Sequence, residues 1–159
     1  MKQIIITDLD GTAIDSPEQK LPNDRLVAAT KNLQKSYHIS AATGRVWTFA
    51  KPVLKELGLV DPCIISAGTQ ICDPKTGEII WQKTVDQKAL SLAIELLKEY
   101  PDWKLLHNDS TEDEYFFGGD YPKDFNNREP VYFLEQVFIP DETAFEIQRK
   151  LNEIDDITC

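Results

Sequence analysis

Asp8-Leu9-Asp10-Gly11-Thr12 sets two carboxylates two residues apart, directly after a short apolar run. Phosphoryl transfer to a carboxylate needs one anionic oxygen in line with phosphorus. It also needs a second acid that protonates the leaving oxygen and later deprotonates water. Asp8 is therefore the candidate nucleophile and Asp10 the candidate acid/base. An incoming phosphate is repelled by Asp8, so the chemistry calls for a hard cation, Mg²⁺, among carboxylate, carbonyl and phosphate oxygens. Gly11 allows the backbone to turn close to a ligand, and Thr12 is expected to orient Asp10 through its hydroxyl. A capped turn after a strand would use the same five residues, so a second loop has to decide. Thr43-Gly44-Arg45 offers a hydroxyl and backbone N–H groups at the start of an expected helix, which is how proteins hold phosphate. Two such loops one β-α-β unit apart favour phosphate chemistry over unrelated turns. The candidate phosphate contacts are Thr43, Gly44 and Arg45, with Leu9, Gly11 and Thr12 from the first loop.

The elements that must position these loops are legible as alternating strands and helices. Ile4-Ile5-Ile6-Thr7 reads as a buried parallel strand. Pro22-Asn23-Asp24 starts a helix that carries Leu26, Ala29 and Leu33 to about Lys35. Tyr37 to Ala42 is a second strand, and Val46 to Leu57 a second helix, kinked or started late by Pro52 and closed by Gly58. Cys63 to Ser66 is a third strand. This order predicts an α/β fold, a doubly wound, Rossmann-like parallel sheet, with ligands beyond the carboxyl ends of its strands. The loops Asp8 to Thr12, Thr43 to Arg45 and Ser66 to Thr69 then face one crevice.

After Thr69 the pattern changes. Gln70 to Cys72 and Glu78 to Trp81 flank a Pro/Gly turn and predict a β-hairpin. Asp86 caps a helix with Leu90, Ala93, Ile94 and Leu97 on one face. Strands are expected at Trp103 to Leu106, Tyr115 to Phe117 and Val131 to Ile139. Pro140-Asp141 opens a helix with Ala144, Ile147, Leu151 and Ile154 inward, and a further strand begins at Ile157-Thr158-Cys159. The expected division is 1–82, the first part of the α/β core, and 83–159, an α+β module inserted after its third strand.

Asp8-Leu9-Asp10-Gly11-Thr12 with Ala42-Thr43-Gly44-Arg45 resembles motifs I and II of the haloacid dehalogenase-like phosphatases. The module after the third strand resembles the cap of subclass IIB, the Cof-type arrangement. Ser66-Ala67-Gly68-Thr69-Gln70-Ile71 is similar to the Ser-x-Gly-Thr-Glu-Ile stretch of the sucrose-6-phosphate phosphatase-like branch. The resemblance implies a phosphoaspartate on Asp8, acid/base work by Asp10, phosphate binding by Thr43, and Mg²⁺ on Asp8 and the Asp10 carbonyl. It implies a small phosphorylated metabolite as partner, with sugar phosphates among the candidates. The family also carries a Lys and a Gly-Asp-x-x-x-Asp pair after the cap. Gly119-Asp120-Tyr121-Pro122-Lys123-Asp124 has that spacing, but its proline interrupts the turn and it precedes the long cap strand, so it reads as a cap loop. The expectation is a chain truncated within the cap. Its alternative function is that of a non-catalytic fragment or regulatory module with weak Mg²⁺ or phosphate binding.

Composition narrows the partners. A net charge of −10 without a basic patch disfavours nucleic acid and anionic membranes. Cys63, Cys72 and Cys159 lack Cys-x-x-Cys spacing and read as reduced thiols; with no secretory segment in view, a cytoplasmic location is expected. His38 and His107 are too far apart for a metal pair, and Trp47, Trp81 and Trp103 read as packing residues, Trp47 standing close to the phosphate loop. An incomplete sheet would also leave an apolar edge prone to self-association.

Overall fold

The computed structural model describes residues 2–15, 20–84, 86–97, 99, 104–108, 114–118, 133–137 and 141–154. The chain forms two compact units, Met1–Lys83 and Thr84–Cys159.

In the first unit, β1 (Ile4–Thr7) pairs in parallel with β2 (His38–Ala41), Ile4 beside His38 and Thr7 beside Ala41. Between them runs α1 (Asp24–Leu33), started by Asn23, whose side chain accepts the Leu26 N–H at 2.9 Å. That cap satisfies a donor the helix cannot satisfy itself. α2 (Trp47–Leu57) continues through Pro52 and ends at Gly58, φ 66°. Gly58 N–H bonds the Lys55 carbonyl at 3.0 Å, and Leu59 N–H the Leu54 carbonyl at 3.1 Å. This pairing needs a left-handed residue, which glycine adopts without a Cβ clash, and it buries Leu59 beside the helix it terminates.

Past the second helix, β3 (Cys63–Ile65) meets the β2 strand in parallel through an Ala42–Ile64 bridge. Ala42 N–H reaches the Thr7 carbonyl at 2.9 Å and Thr43 N–H the Ile64 carbonyl at 3.1 Å, so the ladder continues into the loops. The chain then returns as β4 (Gln70–Cys72), antiparallel to β3, and turns again into β5 (Ile79–Gln82). The expected hairpin is present, but it begins one strand earlier, as a β3-β4-β5 meander. Leu9, Ile39, Val53, Leu54, Leu57 and Ile65 form the core with Cys63 and Cys72, all at most 4% exposed.

One strand departs from its expected burial. Ile4, Ile5 and Ile6 are 59%, 38% and 51% exposed, although three consecutive β-branched residues read as a strand covered on both faces. Among the described residues β1 has one strand neighbour, β2, on one edge.

The second unit holds a three-stranded antiparallel sheet in which β6 (Lys104–Asn108) lies between β7 (Glu114–Gly118) and β8 (Phe133–Val137). Two helices accompany it, α3 (Gln87–Leu97) and α4 (Asp141–Leu151). Asp86 caps α3, accepting the N–H groups of Lys88 at 2.8 Å and Ala89 at 3.3 Å. Ile147 is buried, with Ala144, Leu151 and Ile154 partly so. The burial expected of Leu90, Ala93, Ile94 and Leu97, the Gly119 to Asp124 stretch and the strand at Ile157 to Cys159 lie outside the described residues. Among the described residues no helix is long and apolar enough to cross a membrane.

Candidate active site

The loop after β1 is a closed turn. Leu9, fully buried, anchors it in the core, and its carbonyl accepts the N–H groups of Thr12, Ala13 and Ile14 at 3.4, 2.9 and 2.8 Å. Gly11, φ 76°, supplies the left-handed step and donates to the Ile14 carbonyl at 2.8 Å. Gly11 and Thr12 therefore commit their N–H groups inside the turn and have none left for a phosphate. The N–H of Leu9 has no acceptor among the described residues and remains available.

Asp10 is held from the second loop. The Arg45 guanidinium grips both carboxylate oxygens, Nε lying 2.9 Å from Oδ2 and 3.2 Å from Oδ1, with Nη2 also on Oδ1. Nη1 donates to the Phe49 carbonyl at 3.3 Å, which fixes the fork against α2. The hydrogen bond to Asp10 and the charge of Asp10 hold the Arg45 pKa above its ordinary value, against an opposing effect of burial. Thr12, expected to orient Asp10, makes no side-chain bond to it; a planar, two-pronged donor with full charge fits a carboxylate better than one hydroxyl can.

Thr43 is 5% exposed. Its Oγ1 accepts the Arg45 N–H at 3.1 Å, so its own hydroxyl hydrogen is free to donate. The helix itself starts later than Thr43, with Val46 as its cap and no side-chain cap bond. The N–H groups of Gly44, Val46, Trp47 and Thr48 find no acceptor among the described residues. Donors without acceptors among the described residues at the head of an eleven-residue helix, joined by one hydroxyl, are the kind of arrangement that suits an anion.

The third loop joins the second through Ser66 N–H, which donates to the Arg45 carbonyl at 2.8 Å. Asp8 follows the end of β1, exposed, and among the described residues its carboxylate receives no hydrogen bond. The Asp10 carbonyl is equally unengaged. Two hard oxygens without competing donors fit a small divalent cation that takes its other ligands from water and phosphate. No group of three His, Cys, Asp or Glu side chains suited to a metal occurs among the described residues.

Other conspicuous residues lie elsewhere or serve packing. His38 begins β2, at the end opposite Thr43, with Nδ1 2.9 Å from Asp61 Oδ1; Asp61 Oδ2 accepts the Ile39 N–H at 3.0 Å. Trp47 lies over the hairpin turn, so close that a Cβ on Gly77 would fall 2.6 Å from its ring. Lys51 Nζ stands 5.9 Å from the same ring's centroid. Sequence reasoning missed the grip of Arg45 on Asp10 and the buried Ser66–Gln70 pair, where Ser66 Oγ donates to Gln70 Oε1 at 2.7 Å. Gln70 could have been flagged as a polar residue inside an apolar strand.

Solved structures share this architecture. A haloacid dehalogenase-like hydrolase from Bacteroides thetaiotaomicron superposes with a TM-score of 0.76 at 16% identity, over 99% of this chain and 66% of its own. A hypothetical protein from Geobacillus kaustophilus gives 0.72 at 20% identity, covering 96% and 64%. The subclass IIB sugar phosphatase BT4131 gives 0.71 at 17% identity, covering 95% and 64%. The chain thus spans less than two thirds to about two thirds of the length of these structures. No curated protein sequence matches it significantly. The sequence profile of the haloacid dehalogenase-like hydrolases runs over residues 5–157, through both strand-end loops and on into the second unit, and the chain belongs to that family.

Proposed function

We propose that this protein is a phosphomonoester hydrolase that works through a phosphoaspartate on Asp8, with residues 1–82 supplying the catalytic core and 83–159 part of a cap. Asp8 attacks phosphorus while Asp10, entering the step protonated on one oxygen with Arg45 on the other, gives that proton to the leaving oxygen as its bond to phosphorus breaks; Asp10 then takes a proton from the water that hydrolyses the acyl phosphate. Thr43 and the N–H groups beginning at Gly44 hold the phosphoryl oxygens, and the Leu9 N–H can join them. Arg45 fixes the Asp10 carboxylate. Mg²⁺ held by the Asp8 carboxylate and the Asp10 carbonyl would neutralise charge between nucleophile and phosphate. The substrate in this reading is a small phosphorylated metabolite, a sugar phosphate first, in keeping with the sugar phosphatase among the structural neighbours.

The observation that carries this reading is the hydrogen-bonded grip of Arg45 on Asp10, which joins the acidic loop to the anion-binding loop at adjacent strand ends. The test is Mg²⁺-dependent turnover of p-nitrophenyl phosphate by wild type and Asp8→Asn, with acyl-phosphate trapping on Asp8. Loss of roughly 10⁴ or more in kcat is expected when the nucleophile becomes an amide. Activity within tenfold of wild type would remove Asp8 from the role.

A further inference from the structure

The turn that follows β3 is built against the preference of its residues. Ser66, Ala67 and Gly68 have φ of 53°, 51° and 92°, three successive residues in the left-handed region, two of them not glycine. L residues hold that conformation when their surroundings over-determine it. Here Ser66, 1% exposed, does so: its N–H bonds the Arg45 carbonyl, its Oγ bonds Gln70 Oε1, and its carbonyl accepts both the N–H and the Oγ1 of Thr69, at 3.0 and 2.7 Å.

The result is an excess of donors. Ala67 and Gly68 are exposed, and the Ala67 N–H finds no acceptor among the described residues. Beneath them Gln70 is 1% exposed, with its amide oxygen committed to Ser66 and its Nε2 without a partner. Two donors around one turn, the Ala67 N–H and Gln70 Nε2, lack acceptors among the described residues, while the acceptors of Ser66 and Thr69 are in use, the latter by the Lys83 N–H at 2.9 Å.

Its position suggests what brings the acceptors. β3 lies next to β2, and neighbouring strands are about 4.8 Å apart. A phosphate at the ends of β1 and β2 would sit one strand away from the turn, with its ester substituent in reach of it. We infer that the Ser66–Thr69 turn is a subsite for the leaving group, and that it selects a hydroxylated one, the sugar or polyol part of a phosphate ester. An apolar or aromatic leaving group would desolvate these donors without satisfying them, and such a mismatch is what discriminates substrates most strongly. This inference rests on the phosphatase reading above and adds the recognition element to it.

The test uses amide chemical shifts of the whole wild-type chain with Mg²⁺ and two non-hydrolysable probes. Methylphosphonate carries the anion alone, and a hexose 6-phosphonate carries it on a hydroxylated frame. The expected result is that Thr43, Gly44 and Arg45 amides shift with both probes, and Ala67 and Gly68 with the hexose phosphonate alone. Shifts at 43–45 with both probes and none at 67 and 68 would overturn the subsite while leaving the phosphatase reading standing. Equal shifts at 67 and 68 with methylphosphonate would also overturn it, by making the turn part of the phosphate site. If neither probe moves 43–45, the phosphatase reading fails and takes the subsite with it.

Discussion

Arg45→Met separates two roles that the sequence alone merges. The arginine could bind phosphate, as its place in Thr43-Gly44-Arg45 suggests, or it could orient Asp10, as its guanidinium does in the structure. Methionine keeps much of the stem and removes every donor. The pair is partly open to solvent, with 26% of the Arg45 and 55% of the Asp10 side chain exposed, so its loss should cost stability no more than about 1 kcal/mol. Its kinetic cost is orientational. Released from the fork, Asp10 can sample three χ1 wells and a broad χ2, so its productive fraction falls roughly three- to sixfold, and loss of the fixed charge should bring the fall in kcat to about tenfold. That is about 1.4 kcal/mol of barrier. The loss should be larger on an alkyl phosphate, which needs a proton on its leaving oxygen, than on p-nitrophenyl phosphate, which leaves unaided. In an Asp10→Asn background, Arg45→Met should have almost no further effect. Equal losses on both substrates with a raised KM, additive to Asp10→Asn, would refute the orienting role and return Arg45 to the phosphate.

Three further expectations use other parts of the fold. Gly77→Ala places a methyl 2.6 Å from the Trp47 ring at a residue with φ 82°, so it should destabilise by about 1–3 kcal/mol and alter tryptophan fluorescence, both measurable by urea titration. Burial pushes the thiols of Cys63 and Cys72 up, the second to about 12, so at pH 8 both should resist alkylation until denaturant is added, as peptide mass spectrometry would report. Burial works to raise the Asp61 pKa, but its bonds from His38 and the Ile39 N–H outweigh that and hold it below the usual 3.8. Because the folded value is the lower one, the carboxylate's contribution is complete above the unfolded value and fades as pH falls through the depressed one. Thermal melts from pH 6 to 3 should therefore show wild type losing more stability than Asp61→Asn.

Local chemistry made most of the first unit legible. Asn23 declared a helix start because its side chain can take a donor the helix leaves over, and Gly58 declared an end because a left-handed residue was needed there. The β3-β4 pairing was less visible. Cys63 faces Cys72 and Ile65 faces Gln70 across only three residues, too few to show a period, and the turn between them lacks the expected glycine pair. Ala67 occupies a left-handed position that residue preferences would assign elsewhere, and tertiary bonds to Ser66 hold it there. β1 shows the opposite failure. Its isoleucines state a preference for burial, but burial depends on neighbours, and β2, its one strand neighbour among the described residues, covers a single edge.

The candidate site divides in the same way. Types and spacing put Asp8, Asp10 and Thr43 in loops at the ends of adjacent strands, and the structure has them there. They could not say which donors remain free once the loop closes. The Leu9 carbonyl gathers three N–H groups and the Ile14 carbonyl a fourth, which takes Gly11 and Thr12 out of the phosphate inventory. Arg45, expected at the phosphate, has its fork on Asp10, thirty-five residues away in the chain, for a similar reason. In both cases the chemistry follows from competition among donors for acceptors. That competition is settled by the turn geometry of the Asp8–Ile14 loop and by the parallel register of β1 on β2, neither of which a motif states.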